Sequence, residues 1–264
     1  MVNIYLWYSK TTRLTGRRLA NNLNINHGIL PPSSEYTHVI CWGARLPKRI
    51  TEEEKERLSN LTYLNSVFDI EKYVSKIKFY ETFKDLIPMP KLYYPREIIS
   101  NIHSYPPIMM ARKDYGMGGK GINLCLQISD LLEHLPNADY FTEFIPTQSE
   151  YRVQFFYKRM IRLQTKLRNN ERRTKSRWVK SKKNGYKFIR LPQDDSIREE
   201  LKNFARALRP HIKLNFFAAD IIMGDDGKFR LLEINTGMGL GRAGLIVYTK
   251  NLQKVIDKWR QRDR

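Results

Sequence analysis

The most constraining feature of the sequence is a pair of apolar strands near its C-terminal end that carry three oxygen-bearing side chains. The strings NFFAADIIM and KFRLLEIN are joined by GDDG, which is typical of a hairpin turn. Glu233 and Asn235 are two residues apart and share one face of a strand, and Asp220 can face them from the paired strand. Because acids within apolar strands are costly to bury without a cation, the hairpin predicts a Mg²⁺ site; acids on a solvated face are the alternative.

A glycine-rich segment between two further apolar strands is the second informative feature. It contains Gly116, Gly118, Gly119, Lys120 and Gly121. Glycines let backbone N–H groups come close to phosphate oxygens. The segment is neither a P-loop nor a dinucleotide fingerprint, because no Lys-Ser/Thr pair follows and both flanks are predicted to be strands. It predicts either a phosphate-binding loop or a plain hairpin turn.

A strand that ends in a proline-bearing connection is the third feature. Glu143, Phe144 and Ile145 precede Pro146, and Glu150 follows shortly afterwards. Backbone groups at such a strand end can pair with the edge of an adenine, and an acid further along can accept hydrogen bonds from ribose hydroxyls.

Taken in order, these features resemble the ATP-grasp superfamily, and the resemblance extends from about Lys76 to Gly241. SKIKFYETFKDLIPMP resembles the opening helix and proline turn, and MMARKDYGMGGKGI resembles the flexible phosphate-covering loop. EFIPTQSEYRV is similar to the adenine hinge with its ribose acid, and AADIIMGDDGKFRLLEINTGMGLG to the strands with the metal ligands. More narrowly, EYRVQFFYKRMIRLQTKL, KKNGYKF and the last two strands resemble the carboxylate-amine ligase branch found in tailed phages and some bacteria.

The resemblance implies an α/β (α+β) ATP-grasp fold, with two α+β lobes that grip ATP behind a small N-terminal α/β lobe. The expected divisions are 1–72 for the N-terminal lobe, 73–140 for the small lobe with the glycine loop and 141–264 for the large lobe with the metal site. It also implies roles for individual residues. The expected ATP contacts are Lys76, Arg112, Gly116, Gly118, Gly119, Lys120, Gly121, Glu143, Phe144, Ile145 and Glu150. The expected metal ligands are Asp220, Glu233 and Asn235. The candidate catalytic residues are Arg152, Lys166, Arg168 and Arg242. The first three alternate along the predicted strands and are expected either to hold the carboxylate or the reacting phosphate or to have a surface role.

Two positions depart from the superfamily pattern. Arg112 stands where most members have the second phosphate-binding lysine; it keeps the charge but adds a planar fork. Ala218 stands two residues before Asp220, where several ligases have an arginine that stabilises the tetrahedral oxyanion. We expect Arg242 or the backbone N–H groups of 237–241 to take that role.

The implied activity is ATP-dependent ligation of a carboxylate to an amine through an acyl phosphate, with Mg²⁺ (or Mn²⁺ in its place) and release of ADP and phosphate. A kinase or nucleotidyltransferase would also use acids and a glycine loop, but it would need a catalytic base, and the five His residues are scattered. The sequence does not identify the acid or the amine, which could be small molecules or peptides, and it leaves the oligomeric state open.

The formal net charge of +20 raises a second alternative. Between Lys158 and Arg190 fourteen Lys or Arg residues face a single acid, and Trp178, Tyr186 and Phe188 lie among them. This stretch is either a solvated loop or a surface for a polyanion, so a nucleic-acid-binding protein, or a ligase that modifies a nucleic acid, is the alternative function.

The remaining expectations concern the ends, the thiols and the helices of the 264-residue chain. No segment approaches a membrane span or a secretion signal, so a cytoplasmic location is expected, which is the host cytoplasm if the protein is phage-encoded. Cys41 and Cys125 lie in apolar runs and are expected to be buried thiols. DIEKYVSKIKFYETFKDL is predicted as one helix, the chain is predicted to turn near Lys158 and Arg159, and NLQKVIDKWRQR is predicted as the closing helix.

Overall fold

The computed structural model describes residues 2–101, 104–106, 108–115, 121–168, 178–180 and 184–262. Its strands form three sheets, each built from a different stretch of the chain. The combination of one parallel and two antiparallel sheets with eight described helices is the α/β (α+β) class expected from the sequence.

The N-terminal lobe is a four-stranded parallel sheet in the order β2-β1-β3-β4. Its elements are β1 Ile4–Tyr8, α1 Arg13–Leu23, β2 Asn26–Gly28, β3 His38–Trp42, α2 Glu52–Ser59 and β4 Thr62–Leu64. β3 is buried along its whole length, which explains its uninterrupted apolar sequence. Thr51 caps α2 by accepting a hydrogen bond from Glu54 N at 3.1 Å, as the acidic first turn predicts.

The predicted single helix that follows is wrong, because the structure divides it into α3 Val67–Val74 and α4 Lys76–Phe83. Ser75 is extended (ψ 121°), and its Oγ accepts from Lys78 N at 3.2 Å. The apolar spacing continues through the break because both helices pack on one core, where the rings of Tyr73 and Phe83 stack 5.9 Å apart. Helical periodicity alone therefore could not reveal the interruption.

The small lobe is a four-stranded antiparallel sheet in the order β5-β8-β6-β7. Its elements are β5 Leu92–Tyr93, α5 Pro95–Ser100, β6 Met109–Arg112, β7 Asn123–Cys125, α6 Ile128–His134 and β8 Tyr140–Glu143. Met109, Phe141 and Leu131 lie in its small core, together with the buried thiol of Cys125. Cys41 is also buried, in β3.

The large lobe is a five-stranded antiparallel sheet in the order β11-β10-β9-β12-β13. Its strands and helix are β9 Thr147–Phe156, β10 Arg159–Arg168, β11 Tyr186–Arg190, α7 Arg198–Leu208, β12 Phe216–Gly224 and β13 Phe229–Asn235. β9 and β10 form the expected long hairpin, which turns at Tyr157 and Lys158. GDDG joins β12 to β13, and Gly227 there has φ +71°, a value that favours glycine.

The closing helix, α8 Arg242–Arg262, begins nine residues before the start of the predicted segment at Asn251. It packs on α1 and on aromatic side chains of the large sheet. Tyr248 meets the ring of Trp42 at 5.0 Å, edge to face, and Trp42 stacks on Phe216 at 5.1 Å. This cluster joins the N-terminal and large lobes. The division of the chain at residues 72 and 140 stays a prediction.

A second junction between these lobes consists of backbone alone. Gly43 N donates to Thr236 O at 3.1 Å. A Cβ placed on Gly237 would lie 2.7 Å from Gly43 Cα, closer than two such atoms approach in proteins. The N-terminal lobe therefore touches the chain directly after β13 through two glycines. In the described ranges, no helix is both long and apolar enough to cross a membrane.

Candidate active site

A row of polar residues crosses the large sheet at one level. Gln164 on β10 is opposite Arg152 on β9, which is opposite Asp220 on β12, which is opposite Glu233 on β13. Side chains at one level of neighbouring strands point to the same face, so residues far apart in sequence meet there. The expected placement of Asp220 beside Glu233 agrees with this register.

The Arg152–Asp220 pair lies at the centre of the row. Arg152 Nε donates to Asp220 Oδ1 and Arg152 Nη2 to Asp220 Oδ2, both at 2.6 Å. The side chains are 15% and 5% exposed, so the pair is shielded from water. Burial alone would lower the pKa of Arg152, but the Asp220 carboxylate outweighs it and raises that pKa. The two parallel N–H···O hydrogen bonds make this a bidentate pair, a strong form of charge-assisted hydrogen bonding.

Asn235 and Lys76 complete the cluster around Glu233. Asn235 Nδ2 donates to Asp220 Oδ2 and to Glu233 Oε1, at 3.1 Å each, and Lys76 Nζ donates to Glu233 Oε2 at 2.9 Å. Burial would raise the pKa of Glu233, but Lys76 holds it far below its usual range, so the carboxylate is ionised. The three side chains expected to bind the metal therefore converge, as the strand pattern requires.

Lys76 is held in place by a network that the sequence did not reveal. Ser75 Oγ donates to Asp114 Oδ1 and Oδ2 at 3.0 and 2.8 Å, and Ile77 N donates to Asp114 Oδ1 at 2.9 Å. Asp114 N in turn donates to Asp139 Oδ2 at 2.9 Å. Since Asp114 lies two residues before the glycine segment, it connects the start of that segment to the helix that presents Lys76.

Arg112 ends β6 opposite Tyr140 on β8 and is close enough to Lys76 for the two cations to repel. Of the predicted glycine loop, Gly116, Gly118, Gly119 and Lys120 lie outside the described residues. Gly121 is described: it has φ +70°, and a Cβ there would lie 2.8 Å from Lys113 Cγ. Gly121 therefore lies directly against the Lys113 side chain, where a larger residue would not fit.

Glu150, the expected ribose acid, forms a buried ion pair with Lys166. Burial raises the pKa of Glu150, and Lys166 opposes that rise only in part. Phe188 lies beneath two cations of this region, with its ring centre 4.1 Å from Arg152 Cζ and 4.8 Å from Lys166 Nζ. Phe188 was singled out only as an aromatic of the basic stretch; its position opposite Lys166 follows from a strand pairing that the sequence did not show.

The expected adenine hinge has internal partners as well. Glu143 Oε1 accepts from Lys91 N at 2.8 Å, Phe144 N donates to Ile108 O at 3.2 Å, and Ile145 O accepts from Thr147 Oγ1 at 2.7 Å. The ring of Trp178 contacts that of Phe144 edge to face at 5.2 Å. Trp178 and Phe188, two of the three aromatics that suggested nucleic-acid stacking, therefore pack against residues expected at the nucleotide site.

The other expected catalytic residues are less enclosed. Arg168 is exposed at the end of β10, opposite Tyr186, and Arg242 is exposed as the first residue of α8. Neither residue belongs to the row of Gln164, Arg152, Asp220 and Glu233 that crosses the sheet.

Ala218, the second departure, lies between Gln154 and Asn235 in the row next to Asp220. That row ends at Arg162, and a Cβ on Gly244 would lie 2.5 Å from Arg162 Nη1. Burial lowers the pKa of Arg162. Arg162 is thus the arginine on this row, a residue that the sequence gave no reason to select.

The described residues contain no group of three His, Cys, Asp or Glu side chains arranged to hold a metal ion. A cation at this cluster would therefore be held by the carboxylates of Asp220 and Glu233, by the amide oxygen of Asn235 and by oxygen atoms of a bound molecule. Asn235 now directs Nδ2 at both carboxylates, so its Oδ1 would have to be turned inward.

Comparison with known proteins identifies the fold. No family model matches the chain, and a search of curated proteins finds no match. Among solved structures, D-alanine–D-alanine ligase from Bacillus anthracis superimposes with a TM-score of 0.73 over 100% of both chains at 12% identity. The ATP-grasp ligase PsnB in complex with a minimal precursor gives 0.62 at 15% identity over 92% of this chain and 93% of that one. Carboxyaminoimidazole ribonucleotide synthase from Aspergillus clavatus complexed with ATP gives 0.64 at 14% identity over 90% and 71%.

Proposed function

Because the chain has the ATP-grasp fold, we propose that it is an ATP-dependent ligase that joins a carboxylate to an amine and releases ADP and phosphate. The observation that carries this proposal is the cluster of Asp220, Glu233 and Asn235, bordered by Arg152 and Lys76. Two carboxylates and an amide beside two cationic side chains match the needs of a divalent cation with phosphate oxygens around it.

The donor set fits Mg²⁺, or Mn²⁺ in its place. Asp220 and Glu233 supply hard oxygen ligands, and Asn235 supplies a third when its amide turns. In the described structure Arg152 and Lys76 already neutralise these acids, so the cluster is electrically balanced without a metal. If a cation were held by the two carboxylates, Arg152 and Lys76 would be free to pair with phosphate oxygens instead.

Bound Mg-ATP supplies the phosphoryl group that turns a carboxylate into an acyl phosphate, which an amine can then attack. Lys76 and Arg112 would neutralise phosphate oxygens, and the 116–121 loop, of which only Gly121 lies within the described residues, would cover the phosphates and the activated acid. Glu143, Phe144 and Ile145 border the adenine, Glu150 lies toward the ribose, and the ring of Trp178 extends the wall beside Phe144. Arg152, Lys166 and Arg168 hold the carboxylate or the reacting phosphate.

The charge that develops on the substrate during amine attack needs a donor, because Ala218 cannot provide one. Arg242 and the backbone N–H groups of 237–241 are the groups expected from the sequence. Arg162, on the same row as Ala218, is a third donor that the strand register adds. The proposed site thus has candidate donors near Ala218 in addition to the cations beside Asp220 and Glu233.

The substrates that we propose are small molecules or peptides. The similar structures include a ligase of D-alanine and a ligase bound to a precursor. The nucleic-acid alternative gains no support from them, and Trp178 and Phe188 have contacts inside the protein.

The decisive experiment is a screen for ADP release with Mg-ATP across amino acids and short peptides in pairs, followed by mass spectrometry of the product. We expect ADP and phosphate only when a carboxylate and an amine are both present, and a product whose mass is the sum of the two minus one water. Release of AMP and pyrophosphate would instead indicate a nucleotidyltransferase. Calorimetry that detects no Mg-ATP binding would remove the proposal.

A further inference from the structure

A second cationic region lies on the surface formed by α1 and α8, and of its members only Arg242 is also a candidate of the active site. Residues 9–24 and 241–262 contain ten Lys or Arg residues and a single acid, Asp257. All ten are exposed, and we call them the basic face: Lys10, Arg13, Arg17, Arg18, Arg242, Lys250, Lys254, Lys258, Arg260 and Arg262. This face carries nine of the twenty net positive charges, which makes it strongly attractive to an anionic partner.

The basic face differs from the other charged helices of the protein. On α2 and α7 cations alternate with acids and pair with them, as in Lys55–Glu52 and Lys202–Glu199. Within the described part of the chain, none of the ten cations of the basic face forms an ion pair. An ordinary solvated helix would intersperse both signs, so this face is suited to a partner that supplies the acids.

A shallow cleft of about 480 Å³ lies within this face, between α1 and α8. It is lined by Asn22, Ile246, Thr249, Lys250, Gln253 and Lys254. The Ile246 side chain is 62% exposed, which is unusual for an isoleucine, and the stems of Lys250 and Lys254 add apolar surface below their charges. The cleft thus offers an apolar seat with two cations at its edge.

The position of the cleft is informative as well. β13 ends at Asn235, and the chain reaches the start of α8 only seven residues later. Ile246 lies one turn further along α8. The cleft is therefore connected to the candidate active site by a short stretch of chain, since Ile246 lies eleven residues after Asn235.

From these observations we propose that the basic face binds an acidic polypeptide segment, with an apolar side chain seated against Ile246. A polypeptide fits better than a nucleic acid for two reasons. The cleft is apolar, and a phosphate backbone has nothing to place there. The two aromatic residues of α1 and α8, Tyr248 and Trp259, are buried and cannot stack on bases. This docking role requires no nucleotide and does not depend on the proposed ligase activity.

The test measures binding of a fluorescein-labelled sixteen-residue Glu/Leu peptide by fluorescence anisotropy, without nucleotide. The variant of the face is Lys250→Glu/Lys254→Glu. The matched control is Lys91→Glu/Lys213→Glu, which makes the same change in net charge at exposed lysines elsewhere. We expect the face variant to weaken peptide binding about tenfold and the control about twofold or less, since exposed charges act mainly on near partners. Circular dichroism checks that the variants are folded.

A second variant, Ile246→Ser, separates the apolar contact from the charges. It should weaken the peptide about fivefold, as expected for loss of a buried isoleucine contact, and leave binding of a duplex DNA of similar charge unchanged. Equal losses in the face and control variants would overturn the proposal, because net charge alone would then explain binding. DNA binding that depends on Lys250 and Lys254, without peptide binding, would assign the face to nucleic acid and refute the proposal. Absence of any peptide binding would refute the proposal as well.

Discussion

The two faces of the large sheet use the same strands for opposite purposes. On β9, Tyr151, Val153 and Phe155 face the apolar core that α7 covers. The residues between them, such as Arg152, face the cluster around Asp220. One face buries apolar side chains under α7, whereas the other carries charges that balance each other beside an apolar end where Phe156 and Phe216 pack against α8.

Neighbouring residues on one strand therefore have different roles: one stabilises the fold, and the next faces the candidate active site. Buried ion pairs add little net stability because desolvation offsets their attraction, whereas apolar burial stabilises directly. Substitutions on the polar face that leave no buried charge without its partner should therefore alter activity more than folding, and substitutions on the apolar face should do the reverse.

The largest expected effect on the polar face follows from Glu233→Gln. The amide keeps the shape but loses the charge that would hold the cation, so substrate-dependent ADP release should fall at least about a thousandfold, or roughly 4 kcal/mol of transition-state stabilisation. The fold should be retained. Glu199→Gln on the exposed side of α7 is the control, and near-normal turnover in Glu233→Gln would exclude the metal-ligand role.

The opposite face is tested by Phe155→Ala. Phe155 is 1% exposed and stacks on Phe217 at 4.9 Å, so its loss should reduce the free energy of unfolding by about 3 to 4 kcal/mol, measured in urea. Turnover per folded molecule should stay within about twofold at temperatures where the variant is folded. A selective loss of turnover, without loss of stability, would contradict the separation of the two faces.

An intermediate effect is expected for the central ion pair. Arg152→Met leaves Asp220 charged, buried and without its fork, and should cost about 3 kcal/mol of unfolding free energy. The double variant Arg152→Met/Asp220→Asn should recover most of that loss while remaining inactive. If the losses of unfolding free energy in Arg152→Met and Asp220→Asn simply add in the double variant, the two side chains are not energetically coupled.

The smallest effect is expected at the link between the glycine segment and Lys76. Asp114→Ala frees Ser75 Oγ and Ile77 N and should raise the KM for ATP about tenfold, or 1.4 kcal/mol, with little change in kcat. In a Lys76→Met background the same substitution should have almost no further effect on KM. An equal tenfold rise there would show that Asp114 acts independently of Lys76.

The period-two pattern of the strands explains what the sequence could predict about this site. Glu233 and Asn235 had to share a face, and the GDDG turn set Asp220 beside them. The pairing of β12 with β9 could not be predicted. Arg152 on β9 lies 68 residues before its partner Asp220, and no local signal specifies that the two strands are neighbours. The fork of Arg152 on Asp220 was therefore missed, although both residues had been selected.

Other omissions have different physical causes. The break at Ser75 was hidden because α3 and α4 bury the same core and so keep one apolar spacing. The position of Phe188 depends on the order β11-β10-β9, which brings a distant aromatic beneath two cations. The basic face was missed because its ten charges come from two segments more than two hundred residues apart, and charge runs are visible in a sequence only when they are contiguous.

The contact between Gly43 and Gly237 has a mechanical consequence. With no side chains between them, the two backbones cannot slide or yield, and Gly237 is only two residues from Asn235. A tilt of the N-terminal lobe would therefore shift the backbone beside Asn235, so we expect the position of that lobe to be coupled to the position of the Asn235 amide.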